Sequence, residues 1–598
     1  MSSYTVYTGS DCYKLLLSLV CGKIRRQKKV FELSSMLKRY GFKLSICILG
    51  FSLLSACGGE SSSDSGDGGV TPPPIIPPPI TPEPIPLTQD QRYDLLYRST
   101  FGPQPDSYQE LRDLGYVTWL DEQFSMAPSL HSTRLKEYPL EADRDSYNQA
   151  DRAAVWWDLS LNAPDQLRQR VAFALSEIFV ISRYGSNLGG RTLEMTDYYD
   201  MLVTHAFGNY RDLIESVTLH AAMGDYLSMM ANQKADPESN RYPDENYARE
   251  VMQLFSIGLY ELNPDGTEKL DSQGQLIPTY TQDDIENLAR VFTGWHIAEK
   301  SQPGWGSKNG NWFVPMIAYP EYHDDEEKVV MGEVFAQGQT AEQDMAQAMD
   351  MLLNHPNTAP LISKHLIQRL VTSNPSPAYV ARVSALFVDN GEGVRGDLEA
   401  VIRGVLTDSE ALSGGDRSPV KMKEPLIAMT NFFRAFEAKS ADPSGRFHNS
   451  IGTFGSYGQS PLGSPSVFNF FSPDYAPNGE IADANDVAPE FEILSWNNFI
   501  LTNNQLWSAT GRTDYEGEEN PNRIVINTAS LEAIANDHLA LIEEIDRRLL
   551  SQRMSEPLKD IVLEALEDLR DTQQSLKVRN ALYIVVTSQE FHIEELAQ

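Results

Sequence analysis

Beyond residue 86, apolar residues recur with a helical period over most of the chain. Between 164 and 181, Leu167, Val171, Ala174, Leu175 and Ile178 draw a single apolar stripe along a 3.6-residue repeat. Thr88 followed by Gln91 has capping-box spacing, and it opens a helix carrying Tyr93, Leu95, Leu96 and Tyr97 up to the Phe101-Gly102-Pro103 stop. The same periodicity predicts helices over 198–220, 246–257, 283–295, 341–353, 359–371, 378–387, 398–406, 425–436 and much of 530–597. Between 262 and 334 the pattern shortens. Asp265-Gly266 and Gln273-Gly274 signal turns there, and 276–280, 312–316 and 328–330 read as strands. The expected fold is therefore mainly α: a large multi-helix globular body over 87–598, with a small β-hairpin-rich insertion at 262–334. A second irregular stretch, 440–489, is rich in Gly, Ser, Pro and Phe and too long for an ordinary connection; it reads as an ordered functional loop or a lid. Its aromatics, Phe454, Tyr457, Phe468, Phe470, Phe471 and Tyr475, either plug back into the core or stack on sugar rings.

The pattern before residue 87 is different. Lys38, Arg39 and Lys43 precede an eleven-residue apolar run, 44–54, too short for the roughly 20 residues a membrane span needs. The run ends in Leu54-Ser55-Ala56-Cys57, which resembles the lipobox of bacterial lipoproteins. That resemblance implies a signal peptide over 36–57, fatty acylation of Cys57 (palmitate or a similar chain) and a mature N-terminus at this cysteine. Met36 is then the expected start, and 1–35 a misassigned upstream extension. From 58 to 86 the chain is Gly/Ser-rich and then Pro-rich. Sixteen residues of polyproline II at about 3.1 Å each make a semi-rigid tether of roughly 50 Å. Gly58 after the lipid cysteine resembles the outer-membrane sorting signal of enterobacteria, so the expected location is the cell envelope, at the periplasmic or surface face of the outer membrane.

Charge and cysteine content narrow the chemistry. Acidic residues outnumber basic ones 83 to 49. Residues 1–56 hold nine basic and two acidic side chains, so the remainder carries −41. Such a surface repels nucleic acid and favours cations. Cys12, Cys21, Cys47 and Cys57 all lie at or before the cleavage point, so a mature chain has no thiol pair, thiolate metal site or cysteine nucleophile. Nucleophile-elbow, zincin and phosphate-loop motifs are missing. Gly391, Gly393 and Gly396 match a dinucleotide fingerprint but follow a predicted helix instead of a strand, which reads as an interhelical turn.

Two helices present mixed polar faces. Asn246, Arg249, Glu250 and Gln253 share one face, and Asp283, Glu286, Asn287 and Arg290 share another. If they are solvated they are plain surface. If they oppose each other, Glu250–Arg290 and Arg249–Asp283 form a buried network. If they line a cleft, Glu250 and Asp283 are acid/base candidates, Arg249 and Arg290 hold an anionic group, and Asn246, Gln253, Asn287 and Trp295 contribute binding contacts. The His323-Asp324-Asp325-Glu326-Glu327 turn is the metal candidate, with His323, Asp324 and Asp325 as ligands. Calcium is the divalent cation such oxygens suit, and no other cofactor is evident. Arg170 and Glu177 flank the 164–181 apolar stripe and read as paired charges at the core's edge. His205 and His220 read as packed, and His355 as a helix boundary.

The 246–258 segment Asn-Tyr-Ala-Arg-Glu-Val-Met-Gln-Leu-Phe-Ser-Ile-Gly, with Tyr280-Thr-Gln-Asp-Asp284 and Ala289-Arg-Val-Phe-Thr-Gly-Trp295, resembles the signature of the bacterial family named domain of unknown function 1800 (DUF1800). Arg168-Gln-Arg-Val-Ala-Phe173, His355-Pro356 with Thr358-Ala359, and 458–473 with its Ser464-Pro-Ser-Val-Phe468 extend the match. The resemblance implies an exported, largely helical protein without an assigned activity, often encoded beside a phosphatase-like or sulfatase-like exported protein that is its candidate partner. The function expected is binding or assembly of envelope or extracellular material by a lipid-anchored protein. The alternative is a hydrolase of an extracellular polymer or ester built on the Glu/Asp/Arg faces.

Overall fold

The computed structural model describes residues 86–595 apart from 141–143, 186, 303, 414–419, 448–457 and 512–523. The expected signal peptide, Cys57 and nearly all of the tether lie outside these residues, as do Phe454 and Tyr457. Among the described residues no helix is long and apolar enough to cross a membrane.

The body is mainly α-helical, as the periodicity predicts. Thr88 caps the Gln89–Ser99 helix reciprocally: its Oγ1 accepts from the Gln91 amide, and the Gln91 side chain accepts from the Thr88 amide at 2.8 Å. The striped segment becomes the Gln166–Ser176 helix, which is buried on every face. It packs against Gln149–Asn162, where Trp156 meets Phe101 and Phe173 at centroid separations of 5.3 and 5.5 Å. Tilted and edge-on rings of this kind fill the core while avoiding face-to-face repulsion.

The structure corrects several boundaries. The single helix expected over 198–220 is two, Thr192–His205 and Tyr210–Leu219. Asn209 breaks it by capping the second, its Oδ1 accepting from the Arg211 amide at 2.9 Å. The helix expected to reach Trp295 stops at Val291. Gly294, at φ +83°, turns the chain so that Trp295–His296 becomes a strand paired with Ile317–Ala318. Of the three predicted strands only Lys328–Val330 forms as expected, paired with Glu333–Phe335. Around 276–280 only isolated bridges form, Leu270 to Leu276 and Tyr260 to Pro278. The strand placed at 312–316 lies just beyond it because Trp312 is buried and donates its ring N–H to the Lys308 carbonyl at 3.1 Å. The glycine triplet is the interhelical turn it resembled: Asp389 and Asn390 side chains accept the amides of Gly391, Glu392, Gly393 and Val394, between helices Pro377–Val388 and Leu398–Thr407.

Two pairings have no local sequence signal. Val420–Met422 pairs antiparallel with Ile593–Glu595, and Lys439–Ser440 with Ile524–Val525. The first presents Lys421 to the interior, at the start of the connection leading through Glu424 into the Pro425–Ala435 helix.

Candidate active site: a buried carboxyl pair

The Gln166–Ser176 helix ends at Glu177, whose side chain points into the body. Glu424 approaches it from the N-cap of Pro425–Ala435, and the two carboxyl groups share a hydrogen bond. Gln459 fixes the pair, its Nε2 donating to Glu177 Oε1 at 3.2 Å and to Glu424 Oε2. Asn469 Nδ2 donates to the same Glu177 oxygen at 3.4 Å.

Different surroundings push the two acids apart. Burial and the Glu424 charge raise Glu177 well above the usual carboxylate range. Burial acts on Glu424 as well. There the Lys421 ammonium, the hydrogen bond from Glu177 and the Arg170 and Arg369 guanidiniums outweigh it and hold the acid below its ordinary value. The two buried carboxyls are therefore pushed in opposite directions, Glu177 toward the acid form and Glu424 toward the carboxylate, a division that suits acid–base work.

A narrow pocket reaches Glu177 from outside. Its interior has room for about one water molecule, and Phe173, Glu177, Ser460, Ser464, Asn469 and Phe470 line it. Its wall, the 458–471 segment, is pinned to the other side by Ser182 Oγ donating to the Ser464 carbonyl at 2.6 Å and by the Arg183 amide donating to the Leu462 carbonyl at 3.1 Å. Leu462 and Asn469 both sit at positive φ, +48° and +68°. For leucine this is strain, held by those bonds at the pocket wall.

The residues singled out in the sequence do not assemble in this way. Glu250 is buried and raised by desolvation, but its Oε2 has no hydrogen-bond partner. Arg249 pairs with Glu245 at 3.1 Å instead of Asp283, which is exposed. Arg290 makes a two-pronged pair with Asp324, 2.8 and 3.0 Å, instead of reaching Glu250. The two polar faces therefore turn to different partners, and the buried network, one of the three readings, does not form through Glu250–Arg290 or Arg249–Asp283. Gln253 and Asn287 are half-buried, with Asn287 donating to the Asp283 carbonyl; the Asn246 amide donates to Asp244, and Trp295 is buried.

Nor do the three metal candidates converge. His323 is buried between the Thr293 carbonyl at 3.0 Å and Asp344 at 3.3 Å, Asp324 is committed to Arg290, and Asp325 is exposed. Asp344 also takes Lys328 at 2.8 Å, so this buried cluster neutralises itself. Among the described residues no group of three or more His, Cys, Asp or Glu side chains is placed to hold a metal ion.

A family model described as "Protein of unknown function (DUF1800)" matches residues 94–593, well over half of the chain. The chain belongs to the DUF1800 family. No curated protein and no solved structure matches it. In this DUF1800 body, three of the segments that carried the resemblance meet at the carboxyl pair. Residues 168–173 bring Arg170 and Phe173, 458–473 bring Gln459 and Asn469, and Thr358-Ala359 open the helix that carries Arg369. The sequence marked Arg170 and Glu177 only as charges beside an apolar stripe. Glu424, Lys421 and Gln459 carried no periodic signal, although two charges directly before a Pro-started helix were a clue.

Proposed function

We propose that this DUF1800 protein is an exported, lipid-anchored hydrolase whose acid–base centre is the Glu177–Glu424 pair. The observation that carries the reading is the approach of two buried carboxyls, Glu177 lining a pocket and Glu424 bridged to it through Gln459 Nε2. Enclosing charge is costly, and such pairs with divided acidities are how proteins run acid and base steps together. In this reading Glu424 takes the proton from an attacking water while Glu177 donates one to the leaving group. Lys421, itself paired with Glu490, joins Arg170 and Arg369 in keeping Glu424 ionised. The lipid on Cys57 and the tether keep this centre outside the cytoplasm.

The test is turnover of a panel of chromogenic esters, amides and glycosides by the purified protein. Glu177→Gln and Glu424→Gln should each lower the activity found by about 100-fold or more while the protein stays folded. Full activity in both folded variants would remove the pair from the chemistry.

A second reading, binding or assembly of envelope material together with a phosphatase-like or sulfatase-like partner, draws on exposed Phe313, Val314 and Ile317 in the insertion. Replacing all three with Ser should then abolish retention on isolated envelope material and leave turnover intact.

A further inference from the structure

We propose that the inner side of the carboxyl pair is a binding site for one small oxyanion, held by the guanidiniums of Arg170 and Arg369. As a binding site it stands apart from the hydrolytic reading; as the place where a substrate's acid group docks, it rests on that reading.

The argument is one of unmet donors. Arg170 is 2% exposed, and its Nη2 donates to the Arg369 carbonyl at 2.8 Å. Its Nε and Nη1 are enclosed with no acceptor. Arg369 is 6% exposed and lies 4.3 Å over the Phe471 ring. Its nearest carboxylate oxygen, Glu177 Oε2, is 3.8 Å from Nε, too far for a hydrogen bond. Glu177 Oε2 and Glu424 Oε1 are likewise without hydrogen bonds. Neither guanidinium thus has a hydrogen-bonded carboxylate, in a chain with a large excess of carboxylates to choose from.

Charge counting points the same way. Lys421 is spent on Glu490, and neighbouring Arg152 bonds only to Gln149 and the Pro461 carbonyl. The acids facing Arg170 and Arg369 are Glu177 and Glu424, and burial pushes Glu177 toward its neutral form. Burying a guanidinium short of acceptors is costly unless something supplies them. A carboxylate, sulfate or phosphate oxygen pair matches the guanidinium fork. The unmet donors are on one buried guanidinium beside a second, which a single small oxyanion is enough to serve.

Titration calorimetry of the full chain with acetate, sulfate and phosphate, against chloride at constant ionic strength, tests this. One saturable site is expected for at least one of the three. Arg170→Gln and Arg369→Gln should each weaken it at least tenfold, while Glu424→Gln retains it. Where Arg170→Gln does not fold, Arg170→Lys serves: it keeps the charge, loses the fork, and should weaken binding as well. Unchanged affinity in folded Arg170 and Arg369 variants, or no saturable heat with any of the three probes, overturns the proposal. If the oxyanion is the substrate's own acid group, the tightest probe raises KM without lowering kcat; if it is a free ion, KM does not move. Retained binding in a Glu424→Gln protein that turns over nothing separates this site's standing from that of the catalytic reading.

Discussion

Glu177 and Glu424 make opposite contributions to stability as pH changes. Glu177 is raised by folding, so the folded state holds a proton the unfolded chain releases above its ordinary value of 4.5; its contribution is present in acid and lost as pH rises through the folded value. Glu424 is lowered, so its contribution is present above 4.5 and lost as pH falls. Glu177→Gln fixes the first acid in its neutral form. We expect its melting temperature to fall less than that of the wild type between about pH 5 and pH 8, measured by circular dichroism. An unchanged slope would mean Glu177 carries no extra proton. How far this site was legible is a matter of range. Arg170 and Glu177 stand out because charges flank an apolar stripe within one helix. Glu424 and Gln459 are more than two hundred residues away, and only the fold brings them in. Glu250 shows the complementary limit: a helical wheel says nothing about what stands opposite, and Arg249 and Arg290 pair with Glu245 and Asp324.

At the scale of elements, helices were legible because their period is local, and their ends were less so because turn geometry decides them. Gly294 is the clearest case. A Cβ there would lie 2.9 to 3.0 Å from His323 Cβ, Cα and N, and its φ of +83° is one that L residues rarely adopt. Gly294→Ala should cost at least about 1 kcal/mol, read from the denaturant midpoint. Thr88→Ala removes the hydroxyl arm of a capping box, leaving the Gln91 arm on the residue 88 amide, and should cost about 1 kcal/mol. The short strands were largely illegible, since two- and three-residue pairs carry too little alternation to register. The insertion also contains a titrating element. His296 Nε2 lies 2.6 Å from the Trp305 carbonyl and its Nδ1 accepts the Ile297 amide, which fixes a neutral ring, and desolvation lowers its pKa to about 4. A histidine lowered by folding stabilises above its ordinary 6.5 and loses that contribution as pH falls toward 4. His296→Gln should flatten acid destabilisation over that interval.

For the whole molecule, the mainly α body was readable from period and composition, while the strand pairings that close it were not. Both halves of the functional proposal can be tested at this scale. Cys57→Ala should leave unprocessed precursor and abolish partitioning into the detergent phase; normal processing of that variant would end the anchoring claim. The pairing of Val420–Met422 with Ile593–Glu595 has its own consequence. Lys421 is presented by a strand that ends two residues ahead of Glu424, and whose ladder partner among the described residues arrives after the whole intervening stretch has been threaded and packed. On the proposed hydrolytic reading, chemistry at the pair is therefore a late event in the chain's life. A nascent or half-translocated polypeptide would be inert, and clipping the 593–595 strand would switch the centre off while the helices upstream stay folded.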